Sequence, residues 1–278
     1  MFPTLIDLGR HELPLLGERH LFLPTYGFLF AAGVVLAWIW FTRRARTLDV
    51  PEERLFNLTF YGVLSGIVGA KLLLIALDWR VYLEHPAEIL GTLRSAGVLM
   101  GGVATGALTF ILYCRRSGLP LWSLADAIAA PLVLAQAVGR LGCFSAGCCW
   151  GLRLDASNPL AIVFTDPQAH EQTGVPLGVP LFPTQLFEMG YDLLLAVLLT
   201  WLWRRRPRPA GTVFWLYLLL YSTGRAVLEI WRGDTHRGLF LGGAVSTSQL
   251  ISAAAILLAA FMLARGLRER RAVDATSS

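Results

Sequence analysis

Residues 56–77 read FNLTFYGVLSGIVGAKLLLIAL, an apolar run that contains one charged side chain, Lys71. A helix needs about 20 apolar residues to cross the hydrocarbon core of a bilayer, which is roughly 30 Å thick. This run is therefore long enough to span a membrane. Similar runs recur along the chain and predict seven transmembrane helices, at residues 21–41, 56–77, 97–114, 121–140, 183–203, 211–231 and 244–264.

The composition of the whole chain agrees with this interpretation. Of the 278 residues, 55% are hydrophobic and 15% are charged, whereas an ordinary soluble domain has about 25% charged residues. No internal repeat, low-complexity tract or linker divides the sequence. We therefore predict an all-α, polytopic membrane protein with an outer-face loop region, forming a single integral membrane domain over residues 1–278.

Arginine clusters follow the first, third, fifth and seventh predicted spans. The net charge of +5 comes almost wholly from arginine, because Lys71 is the only lysine. Cytoplasmic loops are enriched in basic residues, so these clusters predict an outer N-terminus and a cytoplasmic C-terminus, rather than a nucleic-acid-binding face. The clusters are Arg43, Arg44 and Arg46; Arg115 and Arg116; Arg204, Arg205, Arg206 and Arg208; and Arg265, Arg268, Arg270 and Arg271.

Two segments outside the spans carry further predictions. Residues 1–20 lack an apolar core followed by a small-residue cleavage site, so we expect no cleaved signal peptide. The predicted outer stretch at residues 141–182 is rich in proline and glycine, which disfavour helix. We interpret it as a lid or head over the helical bundle.

Polar residues inside the predicted spans indicate a functional face. Tyr221, Arg225 and Glu229 are spaced by four and share one face of the sixth span. Gln136 and Arg140 are likewise four residues apart in the fourth span. A charge in the middle of a span costs about 2.5–3.5 kcal/mol, so these residues must be paired, solvated or used.

Arg140 and Arg225 are the strongest candidates for function. Guanidinium groups present forked donors that suit the phosphate of a lipid headgroup, and two of them on different helices can hold one phosphate. The simpler alternative is that each arginine snorkels to the outer interface. Other charges in the spans can equally form interhelical ion pairs, and these are Lys71, Asp126, Glu188 and Asp192.

Residues 139–151 read GRLGCFSAGCCWG and end the fourth predicted span. Glycine permits close approach of the backbone to a ligand, so this segment, with Arg140 inside it, suggests a loop that binds an anionic headgroup. For Cys143, Cys148 and Cys149 a structural disulfide or buried thiols are favoured over redox catalysis. We expect no metal, because no histidine or carboxylate joins these cysteines at ligand spacing.

The order of motifs resembles that of the prolipoprotein diacylglyceryl transferase family over nearly the whole chain. Residues 139–151 are similar to the family signature Gly-Arg-x-Gly-Asn-Phe-x-Asn-x-Glu-x-x-Gly, and PTQLFE at 183–188 is similar to Pro-Ser-Gln-Leu-Tyr-Glu. Residues 221–234 resemble a Tyr-x-x-x-Arg-x-x-x-Glu-x-x-Arg run. Shorter matches are Thr25-Tyr26-Gly27, Gly69-Ala70-Lys71 and Gly101-Gly102.

The resemblance implies an enzyme that moves a diacylglyceryl group from phosphatidylglycerol to the lipobox cysteine of a prolipoprotein, releasing glycerol phosphate. It implies an inner-membrane location, these two substrates and the bilayer as partners, and no cofactor, metal or nucleic acid. Arg140 and Arg225 would hold the lipid phosphate, and Glu229 would orient an arginine. The remaining implied positions are catalytic Tyr26 and Tyr221, and substrate-binding Gly101, Gly102, Gly139, Gly142, Gln136, Gln185 and Arg232.

The chain departs from the family pattern at four positions. Met100 stands at the family's histidine, Cys143 and Ala146 replace two asparagines, and Cys148 replaces a glutamate. Methionine cannot transfer a proton, so a general base must lie elsewhere. His236 is one candidate, and a solvated loop histidine is the alternative interpretation.

Two other hypotheses remain open on the sequence alone. The first is a family paralogue that has lost this activity and binds lipid, or uses its cysteines for a different acyl or thiol transfer. The second is a transporter or channel, which polar residues in several spans favour, although no paired broken helices occur in matching halves of the chain.

Overall fold

The computed structural model describes residues 2–13, 17–92, 97–205, 208–234, 238–240 and 245–276, and within these ranges the chain is mostly helical. The helices are α1 (Thr25–Ala45), α2 (Glu52–Leu77), α3 (Trp79–Glu84), α4 (Glu88–Gly91), α5 (Leu99–Arg116), α6 (Leu121–Ala146), α7 (Pro167–Thr173), α8 (Thr184–Arg204), α9 (Thr212–Leu228) and α10 (Thr247–Thr276). Short 3-10 turns lie at Arg46–Leu48 and Glu229–Trp231.

Among the described residues, six helical segments are long and apolar enough to cross a membrane. The remaining predicted span, the third in chain order at residues 97–114, corresponds to α5, which has 18 residues and a length of roughly 27 Å. The chain is a polytopic membrane protein, as the apolar runs predict. The six segments are Thr25–Leu48, Glu52–Leu77, Leu121–Ala146, Thr184–Arg204, Thr212–Trp231 and Thr247–Arg268.

The chain divides into two compact units, one formed by Met1–Trp40 with Ala125–Ser278 and the other by Phe41–Leu124. The single domain that the sequence suggests stays a prediction. In the smaller unit α2 packs against α5 through glycines. A Cβ on Gly69 would lie 2.7 Å from the carbonyl oxygen of Gly101, and one on Gly102 would lie 2.8 Å from that of Gly66. Small residues allow two membrane helices to approach this closely.

Lys71 also lies in the smaller unit, where its Nζ donates a hydrogen bond of 2.5 Å to the carbonyl oxygen of Thr92. A backbone carbonyl at the end of a helix is a natural acceptor for an ammonium group. The ammonium group of Lys71 thus binds the backbone directly after the end of α4.

The larger unit contains a core between α6, α8 and α9. Asp126 of α6 joins the first turn of α9, because its two carboxylate oxygens accept hydrogen bonds from the backbone N–H groups of Gly211 (2.7 Å) and Phe214 (2.8 Å). A helix N-terminus has unpaired N–H donors, and a carboxylate there satisfies them. Residues in the core cluster are Ala129, Ala130, Val133, Leu195, Ala196, Leu199, Val213 and Tyr217.

An antiparallel hairpin precedes the first helix and was not predicted from the sequence. Strands β1 (Thr4–Leu13) and β2 (Gly17–Pro24) pair with Thr4 opposite Pro24, and α1 follows directly at Thr25. The predicted span began at residue 21 because the apolar residues at the end of β2 run into those of α1. A short apolar run alone does not distinguish a strand from the start of a helix.

The stretch between α6 and α8 has a small apolar core of its own. Strands β3 (Ile162–Val163) and β4 (Pro180–Leu181) pair, and α7 lies between them in sequence. Asp166 caps α7 by accepting a hydrogen bond of 2.9 Å from the backbone N–H of Gln168. The stretch is mainly irregular, as its prolines and glycines predict. Its core is formed by Phe164, Ala169, Val175 and Leu181.

Candidate functional site

Two arginines from different helices meet one carboxylate in the larger unit. Arg140 lies near the end of α6, Glu188 lies in the first turns of α8, and Arg225 lies near the end of α9. Arg140 Nε is 2.5 Å from Glu188 Oε2, and Arg225 Nη1 is 3.1 Å from Glu188 Oε1. All three side chains are largely buried, so Arg140 and Arg225 lie side by side at one anion rather than at the surface.

A second carboxylate orients Arg225 from one helical turn away. Glu229 is 2% exposed, and its Oε2 lies 2.6 Å from Arg225 Nη2. The pair has the four-residue spacing that brings side chains together on one helix face, so this contact follows directly from the sequence. Arg225 is held on both sides by carboxylates, Glu188 and Glu229, which fixes the plane of its guanidinium group.

Arg232 extends the network beyond the end of α9. Its Nη1 is 4.0 Å from Glu229 Oε2, and its Nε and Nη2 donate hydrogen bonds of 2.8 Å and 2.5 Å to the two carboxylate oxygens of Asp234. Burial disfavours the charged form of Arg232, but the contacts with Asp234 and Glu229 outweigh it and raise its pKa above the ordinary value. Arg232 is therefore already paired with Asp234 through two hydrogen bonds.

A small cavity of about 10 Å³ opens between these side chains, which is room for about one water molecule. A phosphate group is larger, so it can bind only if the carboxylate of Glu188 moves aside or if other N–H groups of the arginines turn toward it. The cavity is lined by Arg140, Glu188, Tyr191, Asp192, Tyr221, Arg225 and Leu228. The structure thus brings Arg140, Arg225 and Tyr221 to one cavity, and their catalytic roles stay predictions.

Helices α8 and α9 approach closely beside this cavity because of Gly224. A Cβ at Gly224 would enter the ring of Tyr191 and would lie 2.8 Å from its hydroxyl oxygen. The Tyr191 hydroxyl donates a hydrogen bond of 2.6 Å to the carbonyl oxygen of Leu220. Glycine at position 224 therefore allows the Tyr191 ring to pack directly against α9, and Tyr191 lines the cavity.

Other predicted residues of the larger unit lie along α1, α6 and α8. Gly142 meets Tyr26, since a Cβ there would be 3.2 Å from Tyr26 Cδ2, whereas a Cβ on Gly139 would meet nothing within 4 Å. Gln136 accepts a long hydrogen bond of 3.4 Å from the Tyr217 hydroxyl. Gln185 is fully buried, and its Nε2 donates a hydrogen bond of 2.7 Å to the carbonyl oxygen of Cys148.

The remaining residues named from the sequence lie in the smaller unit or outside the described residues. Gly101 and Gly102 belong to the smaller unit, where they pack on α2, and their part in substrate binding stays a prediction. Met100 precedes them in α5 and is exposed. His236, the candidate base, lies outside the described residues.

The end of α6 brings three cysteines together. The N–H of Gly147 bonds to the carbonyl oxygen of Phe144 at 3.3 Å, and the N–H of Cys148 bonds to that of Cys143 at 3.1 Å. These two bonds form a Schellman motif, which requires the positive φ of 79° that Gly147 adopts. The chain therefore turns back on itself, so that Cys148 lies beside Cys143.

Cys149 completes this thiol cluster, which we define as Cys143, Cys148 and Cys149. Their sulfur atoms all lie within 4.8 Å of one another, and the structure contains them as free thiols without a disulfide. Hydrogen bonds from the Cys143 and Cys148 thiols lower the pKa of Cys149 well below its ordinary value, and the positive charges of Arg232 and Arg140 lower it further.

On the sequence alone, interhelical ion pairs explain Glu188 and Asp192 as well as function does, and nothing singles out Tyr191. The signal was present, because Gln185, Glu188 and Asp192 share one side of α8 and Glu188 ends the PTQLFE motif. The sequence does not indicate which helices that side faces.

Comparison with known proteins agrees with the motif order. The sequence model of the family "Prolipoprotein diacylglyceryl transferase" matches residues 18–265. The chain is 34% identical over 237 residues to the phosphatidylglycerol–prolipoprotein diacylglyceryl transferase of Clostridium tetani, covering 85% of this chain and 90% of that relative. It is 32% identical over 260 residues to the transferase of the same name from Synechococcus elongatus, covering 91% and 83%. The family model covers most of the chain, two relatives are more than 30% identical to it, and the motif residues assemble on α6, α8 and α9. The chain therefore belongs to the prolipoprotein diacylglyceryl transferase family.

Proposed function

We propose that this chain transfers a diacylglyceryl group from phosphatidylglycerol to the lipobox cysteine of prolipoproteins and releases glycerol phosphate. Family membership and the names of the relatives support this reaction. The structural observation that carries the proposal is the convergence of Arg140 and Arg225 on the two oxygens of Glu188.

The carboxylate of Glu188 resembles the part of the lipid that the arginines would bind. A carboxylate and a phosphodiester both present two anionic oxygens, and arginine binds either with its forked donors. A guanidinium group has five N–H donors, and the contacts to Glu188 use one nitrogen of each arginine. Arg140 and Arg225 can therefore share a phosphate in the way that they share this carboxylate.

The proposed reaction breaks an S–H bond and a C–O bond and forms a C–S bond and an O–H bond. The sulfur of the peptide cysteine forms a C–S bond with the glyceryl carbon, and the C–O bond to the phosphate breaks. In the net balance the thiol proton ends on the departing phosphate oxygen, so no redox partner is required. Arg140 and Arg225 would stabilise the negative charge that develops on that oxygen, since preorganised donors act strongly in a water-poor site. Tyr26 and Tyr221 would line the site.

We propose that the reaction takes place at the outer face of a bacterial inner membrane, with the N-terminus outside and the C-terminus in the cytoplasm. The four arginine clusters support this orientation by the positive-inside rule. Phosphatidylglycerol and the lipobox peptide would be the partners, together with the bilayer itself.

The test uses purified protein in detergent, phosphatidylglycerol labelled in its headgroup, and a lipobox peptide. Mass spectrometry would detect the thioether product, and the label would report released glycerol phosphate. Arg140→Ala and Arg225→Ala each remove a charged hydrogen-bond donor, worth about 1.5–3 kcal/mol, so we expect at least a roughly 10- to 150-fold lower rate.

The matched control is Arg46→Ala, because Arg46 pairs with Glu52 at 2.9 Å but has a 58% exposed side chain. Arg225→Lys keeps the positive charge but lacks the forked N–H donors of arginine. A folded Arg225→Lys protein with a lower rate would therefore show that the loss comes from phosphate binding and not from unfolding. Wild-type rates in both alanine variants would refute the proposal.

The alternative function is that of a paralogue which binds the lipid without performing this transfer. The specific observation in its favour is Met100, which stands at the family's histidine and cannot move a proton. Binding of labelled phosphatidylglycerol by the wild-type protein, with no thioether product at any peptide concentration, would favour this alternative.

A further inference from the structure

The thiol cluster has no part in the proposed transferase reaction, because the nucleophile there is the thiol of the substrate peptide. Cys143 is buried, and Cys148 and Cys149 are partly buried. The sequence predicts no metal at these cysteines, but the turn after α6 brings their three sulfur atoms within 4.8 Å of one another. The cluster therefore requires an explanation of its own.

We infer that Cys143, Cys148 and Cys149 form a binding site for a thiophilic metal ion with a filled d shell, such as Zn²⁺ or Cu⁺. Zinc binds thiolate at about 2.3 Å, which separates two sulfur ligands of a tetrahedral ion by roughly 3.8 Å. The three sulfur atoms lie within 4.8 Å of one another, so no pair has to close by more than about 1 Å to reach this spacing. Thiolate ligands select such soft ions over Mg²⁺ or Ca²⁺.

The backbone holds the cluster in place before any ion binds. The Schellman motif after α6 fixes Cys148 beside Cys143. Thr184 donates a hydrogen bond of 2.5 Å to the carbonyl oxygen of Cys149, and Gln185 donates one to that of Cys148. Cys149 has a φ of 60°, which is unfavourable for a residue with a side chain. Strain of this kind is typical of functional positions.

The candidate for a fourth, neutral ligand is the side-chain oxygen of Gln185. Gln185 Oε1 is fully buried and has no hydrogen-bond partner among the residues that the structure describes. The Nε2 atom of the same amide group donates a hydrogen bond to the backbone carbonyl oxygen of Cys148, so the side chain of Gln185 is held against the segment that carries the cluster. A tetrahedral ion has four ligands, so three thiolates leave one position, and a buried oxygen without a partner would gain one by filling it.

The charges around the cluster suit a bound ion. Binding of Zn²⁺ breaks three S–H bonds, forms three S–Zn bonds and releases three protons, with no change of oxidation state. The resulting site has one net negative charge. Arg140 and Arg232 both interact electrostatically with Cys149 and would offset that charge. Neither arginine occupies the position of a ligand.

The experiment measures metal binding directly and does not use the transferase reaction. The full-length protein, reduced and stripped with a chelator, is equilibrated with Zn²⁺ and desalted, and zinc per chain is measured by mass spectrometry. We expect about one zinc per chain, and at least a roughly tenfold weaker affinity in Cys149→Ser. Cys114→Ser is the control, because Cys114 is a buried free thiol outside the cluster.

A second measurement needs no variant. Cd²⁺ bound to thiolates has a charge-transfer absorption in the ultraviolet, so wild-type protein titrated with Cd²⁺ should develop this band and saturate at one equivalent. Bound metal without the sulfur band would indicate adventitious binding and overturn the inference. Equal zinc content in wild-type and Cys149→Ser protein would overturn it as well. If Cys149→Ser does not fold, the cadmium titration of the wild-type protein decides.

Discussion

Glu188 is the residue on which the candidate site depends most directly. One carboxylate, 4% exposed, is the shared partner of two buried guanidinium groups. Removing one partner of a buried ion pair leaves a charge that is neither hydrated nor neutralised, which is far more costly than losing an exposed pair. Glu188 thus neutralises both arginines and would compete with the phosphate of the lipid for them.

We predict that Glu188→Gln lowers the free energy of unfolding by about 3–5 kcal/mol, because Arg140 and Arg225 then share a neutral amide. Thermal unfolding in detergent, followed by tryptophan fluorescence, would measure it. Glu52→Gln is the control: Glu52 pairs with Arg46, and its side chain is 66% exposed, so its loss should cost less than about 1 kcal/mol. Equal shifts of the melting temperature in the two variants would contradict this role for Glu188.

At the residue scale, sequence reasoning predicted the contacts that lie within one helix. The four-residue spacing of Arg225 and Glu229 predicted their shared face, and their ion pair lies at 2.6 Å. The contact between Arg140 and Glu188 joins residues 48 positions apart in sequence, on different helices. No local pattern predicts such a contact, because it depends on how α6 packs against α8.

At the scale of elements, glycines set how closely two helices approach. Gly224 of α9 faces the ring of Tyr191 on α8, whereas a Cβ on Gly190, also on α8, would meet nothing within 4 Å. These two glycines form a matched pair for testing the contact, because both lie inside helices and only one is required by packing.

We predict that Gly224→Ala separates α8 from α9 and destabilises the protein by about 1–3 kcal/mol, since the new methyl group would overlap Tyr191. Gly190→Ala should be neutral or stabilising by about 0.5–1 kcal/mol, because alanine favours helix over glycine. Thermal unfolding of the two variants side by side tests this. A Gly224→Ala protein as stable as Gly190→Ala would mean that the helices are not in such close contact.

The helical elements themselves followed from apolar runs in the sequence, with boundaries within a few residues. Two helices end later than predicted. The seventh span is predicted to end at residue 264, but α10 continues to Thr276. The fourth is predicted to end at residue 140, but α6 continues to Ala146 and ends at the positive φ of Gly147. The β1–β2 hairpin was missed because its last residues are as apolar as those of α1. Hydropathy reports burial in an apolar medium and does not report backbone conformation.

At the scale of the whole molecule, the proposed orientation in the membrane rests on arginine alone. Basic clusters follow the first, third, fifth and seventh predicted spans, and no such cluster follows the second. This distribution allows one orientation to dominate, because basic loops resist translocation.

We predict that a green fluorescent protein fused to the C-terminus is fluorescent and that alkaline phosphatase fused there is inactive, because phosphatase requires the oxidising outer side to form its disulfides. Fusions after Asp155, in the predicted outer stretch, are the control and should show the reverse. Phosphatase activity at the C-terminus, with none after Asp155, would invert the proposed topology and remove the argument for an outer-face site.

The sequence by itself determined the membrane-spanning character of this protein, its family and the helix face that carries Tyr221, Arg225 and Glu229. These properties depend on hydropathy, motif order and helical periodicity, all of which are local along the chain. Only the tertiary structure decided that Glu188 lies between Arg140 and Arg225, and that Cys143, Cys148 and Cys149 meet. Contacts between separate helices depend on which faces pack together, and contacts after a helix end depend on how the chain turns there, so neither follows from periodicity.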